Sequence, residues 1–307
     1  MNKDHCTITI RDSEAFIENP SEVISISNAS AFLKDKTLAI KVSPSEKFTQ
    51  INLVVNHTKN IPVNFKIKLE LLEGSKLILL DESHYNNDSD LEFITIMKKN
   101  SCFELYKINR YQNNNTNKFL HDCTLLENCS FKDYSFSNGS KENFSKTIVN
   151  LNDINASFLG SGISINDSTH TDNLLEIRHN SKSALSNCYF KTVAKGNSKV
   201  NFDGTIFVDN HCSKTTSNQV SKGLLIGDHS KINLVPKLEI YNDDVECSHG
   251  AASGQPDKNT LFYLTSRGIS KKDAEEIYIE GFLSEFFDTI ENLSMLSKAK
   301  NFISLNK

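Results

Sequence analysis

The sequence contains no tryptophan, and only five prolines and three methionines occur among its 307 residues. No stretch approaches the ~18 consecutive apolar residues of a membrane-spanning helix, so we expect no membrane span. Basic residues are not in excess either, since 34 Lys and Arg stand against 38 Asp and Glu, for a formal net charge of −4. Nucleic-acid binding requires a dense excess of Lys and Arg, and the composition therefore argues against a nucleic-acid partner.

Paired cysteines are missing as well. The seven cysteines are widely spread and no CxxC occurs, which argues against a zinc ribbon and a thioredoxin-type redox pair. The first residues carry acids and no apolar segment, so we expect no secretory signal. These observations predict reduced thiols and a cytoplasmic protein, with an organelle stroma as the alternative.

Common catalytic motifs are absent. The sequence has no GxxxxGK[ST], HExxH or GxSxG, and Gly160-Ser161-Gly162 lacks the third glycine of a dinucleotide fingerprint. We therefore expect neither ATP nor a nicotinamide to bind through a recognised motif. The 38% of apolar residues nevertheless provide enough material for a folded core.

The middle of the chain, from about residue 37 to residue 241, is a series of short β-prone runs that alternate apolar and polar residues. Similar turns connect them, each with a turn residue, a small residue and then usually an apolar residue two positions later. The turns begin at Gly74, Asn100, Asn128 and Asn155, with weaker copies at Asn180, Asn197 and His229. The spacing of roughly 25 to 28 residues is typical of solenoid repeats. We predict a stacked β-solenoid, with a β-sandwich as the alternative.

The end of the chain has helical periodicity. One helix is predicted over Asp257–Arg267, ending before Gly268, and a second begins after the capping residue Ser270. We expect the second helix to bury one stripe of side chains: Ala274, Ile277, Tyr278, Phe282, Phe286, Ile290 and Leu293. We divide the chain into a short N-terminal segment (1–36), a β-helix core (37–246) and a C-terminal helical domain (247–307). The helices are expected to plug the end of the solenoid and protect its last open sheet edge.

The densest polar segment runs from Asp243 to Gly250. Cys247 and His249 lie two residues apart, so an extended backbone places both on one face. Iron accepts thiolate and imidazole, and the nearby acids favour a cation. A solvated acidic turn beside a buried cysteine is the alternative, because two ligands do not complete a metal site.

Several segments together resemble the C-terminal signature of the SufD family. The longest runs from Pro236 to Ala251, and Gly254-Gln255 and Leu261–Ile269 follow it. Upstream, Phe202–Val208 and Lys214-Thr215 fit the same family. The clear resemblance covers roughly residues 170 to 287, and weaker solenoid character extends it to about residue 40.

This resemblance implies a right-handed parallel β-helix with a small C-terminal helical domain. It also implies a non-catalytic scaffold subunit of the SufBCD iron–sulfur cluster assembly complex, which pairs with SufB and binds the SufC ATPase. His249 would be a ligand of a transient iron or iron–sulfur cluster at the SufB–SufD interface, with Cys247 as the neighbouring candidate. No permanently bound cofactor is expected, and the sequence does not decide whether flavin contacts this subunit. Exposed parts of an aromatic stripe on the C-terminal helices would bind SufC: Tyr278, Phe282 and Phe286.

Two departures distinguish the chain from SufB. The paralogue has a cysteine where this chain has Ile240, and a glutamate where this chain has Gly250. A D-type subunit that does not hold a cluster alone is therefore expected, and little of the family's longer N-terminal helical region is expected here. A SufB-like homodimeric scaffold, a β-helix carbohydrate-active enzyme and a purely structural module remain the alternatives.

Overall fold

A computed structural model of the protein describes residues 5–11, 14–17, 24–26, 28–56, 61–112 and 114–306. Strands dominate up to residue 254. The first ten are β1 (His5–Arg11), β2 (Glu14–Ile17), β3 (Ile24–Ile26), β4 (Ala29–Lys34), β5 (Thr37–Val42), β6 (Thr49–Asn56), β7 (Val63–Leu71), β8 (Lys76–Asp81), β9 (His84–Tyr85) and β10 (Ser89–Met97). The other eleven are β11 (Cys102–Tyr111), β12 (Thr116–Leu125), β13 (Ser130–Asn138), β14 (Glu142–Leu151), β15 (Ser157–Asp167), β16 (His170–His179), β17 (Leu185–Lys195), β18 (Lys199–Val208), β19 (Thr215–Ile226), β20 (Lys231–Ile240) and β21 (Val245–Gly254).

From β5 onwards, apart from the short β9, successive strands alternate between two sheets, so the chain winds as a β-solenoid. The 11-stranded sheet has the order β2-β1-β6-β8-β11-β13-β15-β17-β19-β21, with β9 beside β11. The 10-stranded sheet has the order β20-β18-β16-β14-β12-β10-β7-β5-β4-β3. From β5 onwards the strands within each sheet pair in parallel, each with the strand one coil earlier. The predicted parallel β-helix is thus confirmed, and a β-sandwich is wrong.

The main core lies between the two sheets, because alternate side chains of the central strands point into the coil. Strand β7 shows the pattern clearly, since Val63, Phe65, Ile67, Leu69 and Leu71 are buried and the residues between them are not. Equivalent residues stack from coil to coil. The rings of Phe103 and Phe131 stack at 5.0 Å between centroids.

The coils turn at residues with left-handed backbone angles. Asn100, Asn128 and Asn155 have φ values of +59°, +56° and +57°, and Gly74 has +70°. The asparagine amides also form a ladder, in which Asn155 donates to Asn128 and Asn128 donates to Asn100, each at 3.0 Å. The predicted turn positions are confirmed for these four residues. Asparagine suits these turns because it tolerates left-handed backbone angles and because its amide forms a hydrogen bond with the next coil.

The weaker turn copies lie in or beside turns, but the residue with the left-handed angle is a near neighbour of the one predicted. The left-handed angles fall on Ser183, Gly196 and Gly227 rather than on Asn180, Asn197 and His229. Gly196 lies one residue before Asn197, and Gly227 lies two residues before His229. Glycine takes these positions because it adopts positive φ at no steric cost.

The N-terminal segment contains more strand than the sequence suggested. Strand β1 pairs in parallel with β6 and extends the 11-stranded sheet, and Ile8 and Ile10 are buried in the core. Strand β4 pairs antiparallel with both β5 and β3, and these three strands form one end of the 10-stranded sheet. Their short runs lack the turn spacing of the later coils, which explains why periodicity did not identify them.

Three α-helices and a short 3₁₀ helix follow the strands. They are α1 (Lys258–Ser266), α2 (Lys271–Ser284), the 3₁₀ helix (Glu285–Thr289) and α3 (Leu293–Asn306). The two predicted caps are confirmed: Gly268 has a left-handed φ of +87° after the first helix, and Ser270 accepts from the Asp273 amide. Asp257, predicted as the first residue of the first helix, is instead its N-cap and accepts from the Thr260 amide. Since β21 ends at Gly254 and α1 begins at Lys258, the strands and helices meet between these residues, whereas the domain division at residue 246 stays a prediction.

The expected end plug is wrong, because the helices lie along the outer face of the 11-stranded sheet. This face carries a second row of large apolar side chains, which pack against apolar side chains of the helices. We call this cluster the second core. The sheet contributes Leu80, Tyr106, Ile108, Tyr134, Phe136, Ile163, Ile165, Val193, Leu224 and Ile226, and the helical region contributes Ile279, Leu283, Phe286, Ile290, Met295, Ala299, Phe302 and Ile303. The rings of Phe136 and Phe286 meet edge to face at 5.6 Å. Apolar area on the side of the solenoid therefore determines where the helices pack.

The buried stripe of the second helix also differs from the prediction. Ile277 and Leu293 are 45% and 78% exposed, whereas Ile279 and Leu283 are buried. Helix α2 ends at Ser284 and the chain continues as a 3₁₀ helix, so one α-helical period does not extend through this region.

An ionic anchor holds the end of α2 against the sheet. The Glu285 carboxylate accepts from Lys191 at 3.1 Å, from Lys222 at 3.2 Å and from the Tyr189 hydroxyl at 3.0 Å. The Lys191 ammonium also donates to the Phe282 carbonyl oxygen. Hydrogen bonds from Lys191, Lys222 and Tyr189 lower the pKa of Glu285 to about 2, so this carboxylate is ionised at neutral pH.

Candidate functional site

The last coil of the solenoid is formed by β20 and β21. Strand β21 pairs with β19, strand β20 pairs with β18, and no described strand lies beyond either. The side chains of β20 and β21 are half-buried or exposed throughout, in contrast with the buried rows of the preceding coils. This end of the solenoid is therefore open in the described structure.

Cys247 and His249 both point to the inner side of this open coil. The parallel register places Cys247 beside Ser217 and His249 beside Gln219. Ser217 and Gln219 are buried residues of β19, whose inward positions alternate with more exposed ones. Because directly paired residues in a parallel ladder share a face, Cys247 and His249 extend the inward row, and the predicted i, i+2 arrangement is confirmed.

The two side chains differ in exposure. Cys247 is half-buried and packs against the main core, together with Val245 and Ile240. His249 is exposed at the open end. Burial raises the pKa of the Cys247 thiol, and a hydrogen bond from the Ser217 backbone partly opposes this. A metal that binds this thiol must therefore displace its proton.

Polar side chains lie directly beneath the pair. Under Cys247, the hydroxyls of Ser217 and Ser186 lie 2.6 Å apart, and Ser186 lies 2.9 Å from His179 Nε2. All three are buried. Under His249 lies Gln219, which is completely buried and donates from Nε2 to the Gly204 carbonyl oxygen at 3.4 Å. These polar residues occupy positions that apolar ladders occupy elsewhere in the core.

Acidic residues lie in and just before the last strand, β21. Asp243, Asp244 and Glu246 are exposed on the approach to and within β21. Their charges favour the approach of a cation. Within the described residues, however, no group of three or more His, Cys, Asp and Glu side chains could hold a metal ion. Cys247 and His249 are only two possible donors, fewer than the four ligands of a typical closed metal site.

The other histidine–cysteine pairs do not form sites. His121, Cys123 and Cys129 are buried in the main core, where His121 Nε2 lies 3.0 Å from the Thr95 hydroxyl. His211 is exposed and Cys212 is buried, as adjacent residues with opposite directions should be.

The aromatic residues predicted to bind SufC have unequal exposure. Phe286 is completely buried, and Tyr278 and Phe282 are partly buried against the second core. Helix α1, by contrast, has no buried residue, and its Phe262 and Tyr263 are 74% and 57% exposed. Sequence reasoning missed these two residues, although two adjacent aromatic residues on a helix with no continuous apolar stripe indicate an uncovered surface.

Comparison with known proteins identifies the family. The family model described as "SUF system FeS cluster assembly, SufBD core domain" matches residues 55–282. The chain belongs to the SufBD core family. Iron–sulfur cluster assembly is thus the process in which its family takes part, and the SufD-family resemblance is confirmed.

Curated relatives agree with this assignment. The chain is 29% identical to the iron–sulfur cluster assembly protein SufD of Escherichia coli over 237 residues, which is 75% of this chain and 55% of the relative. It is 33% identical to the chloroplastic protein ABCI7 of Arabidopsis thaliana over 111 residues, 36% of this chain and 23% of the relative. It is 25% identical to SufD of Plasmodium falciparum over 269 residues, 82% of this chain and 18% of the relative. The chain therefore spans about half the length of the E. coli relative and less of the other two. None of the helices in the described part of this SufBD-family chain combines the length and hydropathy that a membrane crossing requires.

Proposed function

We propose that the chain is a non-catalytic scaffold subunit of a SufBCD complex, in which it pairs with SufB through the open end of its solenoid. The observation that supports this proposal is the inward-facing pair of Cys247 and His249 on a coil with no strand beyond it. An uncovered coil presents unpaired backbone groups and half-buried apolar side chains, which favour association with a second sheet end.

His249 would donate its imidazole to a nascent iron–sulfur cluster or iron at the interface, which is the substrate of the assembly reaction. Its exposure leaves the ring free to reach a metal held partly by the partner. Cys247 is the second candidate ligand, although its raised pKa and core packing make thiolate formation more costly. A histidine ligand is neutral when bound and weaker than a thiolate, which suits a cluster that must be released. No permanently bound cofactor is part of the proposal.

The SufC ATPase would bind the helical part. The uncovered aromatic surface of α1, together with the exposed edge of Tyr278, is better placed for this contact than Phe286. Because the helices rest on the side of the sheet, with Glu285 as their anchor, movement of SufC would act on the solenoid wall rather than on its end. ATP hydrolysis would occur in SufC. Pairing of two copies of this chain, as in a SufB-like homodimer, is the competing arrangement at the open end.

The test is anaerobic co-expression of the chain with its SufB and SufC partners, followed by measurement of bound iron and acid-labile sulfide. His249→Ala should leave the three-subunit complex intact and abolish cluster formation. His211→Ala is the matched control, because His211 is also exposed but lies at a coil corner. A normal cluster yield from His249→Ala would refute the ligand assignment. A complex of two identical copies without SufB would refute the heterodimer.

A further inference from the structure

Gln219 is a buried side chain with an unused hydrogen-bond acceptor beneath His249. Its Nε2 donates to the Gly204 carbonyl oxygen, and this fixes which side of the amide carries the oxygen. The Oε1 atom is buried and has no hydrogen-bond partner among the described residues. A buried acceptor without a partner destabilises the folded chain, because it has lost its hydrogen bonds to water, so a donor that reaches this oxygen is favoured.

The position of the Gln219 amide is set by Gly204 on the opposite sheet. A Cβ atom at position 204 would lie 2.2 Å from Gln219 Nε2 and 2.8 Å from Oε1. The absence of a side chain at Gly204 therefore leaves the space that the Gln219 amide occupies. Since the glutamine is also completely buried, its amide has little freedom to turn away.

Two side chains flank Gln219 in its ladder. Cys188 lies one coil earlier and His249 one coil later. The Cys188 thiol already has a hydrogen bond with the backbone of Gly160. His249 is exposed, and a neutral imidazole always carries one N–H. Because adjacent strands lie about 4.8 Å apart, an imidazole directly above the amide can donate to Oε1 by turning about its side-chain bonds.

We propose that Gln219 is a positioning residue for His249: Gln219 Oε1 accepts a hydrogen bond from one ring N–H, so that the lone pair of the other ring nitrogen faces the open end of the solenoid. This inference rests on the proposed role of His249 as an iron ligand. Histidines that bind metals usually donate their second ring nitrogen to such an acceptor, which fixes the tautomer and the ring orientation. The buried amide supplies this acceptor from within the same chain, before a partner binds.

The first experiment measures the tautomer of His249 in the isolated chain, labelled with [¹⁵N]histidine, by long-range ¹H–¹⁵N NMR at pH 8. His249→Ala identifies the signal. We expect one tautomer to dominate in the wild type, and both to be populated in Gln219→Met, which keeps the side-chain length but has no amide oxygen. Ser221→Ala is the control, because Ser221 is buried on the same strand but pairs with Ala251. The same tautomer ratio in the wild type and Gln219→Met would overturn the proposal.

The second experiment measures Fe²⁺ affinity of the complex with the same variants. Gln219→Met should weaken iron binding by about 10- to 100-fold, and Ser221→Ala should leave it unchanged. Gly204→Ala displaces the amide without altering it and should reproduce the loss if Gln219→Met folds poorly. If His249→Ala removes iron but neither Gln219→Met nor Gly204→Ala does, the positioning role is wrong and the ligand assignment stands. If iron binding survives in His249→Ala, the proposed function is wrong, whatever the tautomer shows.

Discussion

Two histidines are buried in the solenoid, and we expect them to lower the free energy of unfolding markedly in mild acid. His121 is enclosed by the rings of Phe93, Phe119 and Phe131, with centroids 5.3 to 6.3 Å from one another across this cluster. Burial, with a smaller contribution from the charge of Lys107, lowers the pKa of His121 to about 3. Burial lowers the pKa of His179 to about 4.

The sign of the effect follows from proton binding. Below the ordinary histidine pKa of about 6.5, the unfolded chain binds protons at both residues and the native protein does not. Each site therefore costs about 1.4 kcal/mol per pH unit, or roughly 4 kcal/mol for both between pH 7 and pH 5. Asp81 acts in the opposite direction, because burial raises its pKa to about 6, and the native protein binds that proton more tightly. Its contribution restores about 1.3 kcal/mol between pH 7 and pH 5, which leaves a net loss of roughly 2.5 to 3 kcal/mol.

The assay is urea-induced unfolding at pH 7, 6 and 5, with the free energy of unfolding extrapolated to water. Glutamine at position 121 can keep the hydrogen bond to Thr95 and does not titrate, so His121→Gln should remove about half of the histidine contribution to the pH dependence. His211→Gln is the control, since His211 is exposed. A wild-type protein that is as stable at pH 5 as at pH 7, or a His121→Gln variant with an unchanged slope, would refute the reasoning.

Two other substitutions test the packing and the turns. Phe286→Ala should lower the free energy of unfolding by about 3–5 kcal/mol, because the ring is fully buried against Phe136. It should also loosen the helices from the sheet, which faster hydrogen exchange in α2 and α3 would show. Phe262→Ala should leave stability unchanged but weaken co-purification of SufC. Unaltered exchange in Phe286→Ala would contradict the second core. Asn128→Ala should lower the melting temperature more than Asn128→Gly. Both variants lose the amide ladder, but only alanine is strained at φ +56°, by about 1–2 kcal/mol. Equal melting temperatures would show that backbone strain has no role at this turn.

The sequence supported the solenoid because its determinants are local and repeated. Alternating apolar residues define the strands, and the asparagine and glycine turns recur at nearly constant spacing, so neither requires knowledge of distant contacts. The i, i+2 relation of Cys247 and His249 was also predictable, because an extended strand places such residues on one face. The helix caps at Gly268 and Ser270 depend only on residues that are neighbours in the chain.

The tertiary structure decided the features that depend on which surfaces meet. The helices pack on the side of the sheet because Ile108, Phe136 and Ile163 form an outward apolar row, and this row becomes visible only when residues about 27 positions apart are aligned by the coil. Register likewise placed Gln219 beneath His249, although thirty residues separate them in the chain. Local propensity determined the strands and turns of this protein. The stacking of coils determined its second core, its open end and the position of the buried Gln219 amide below His249, because these features arise from contacts between residues that are distant in the sequence.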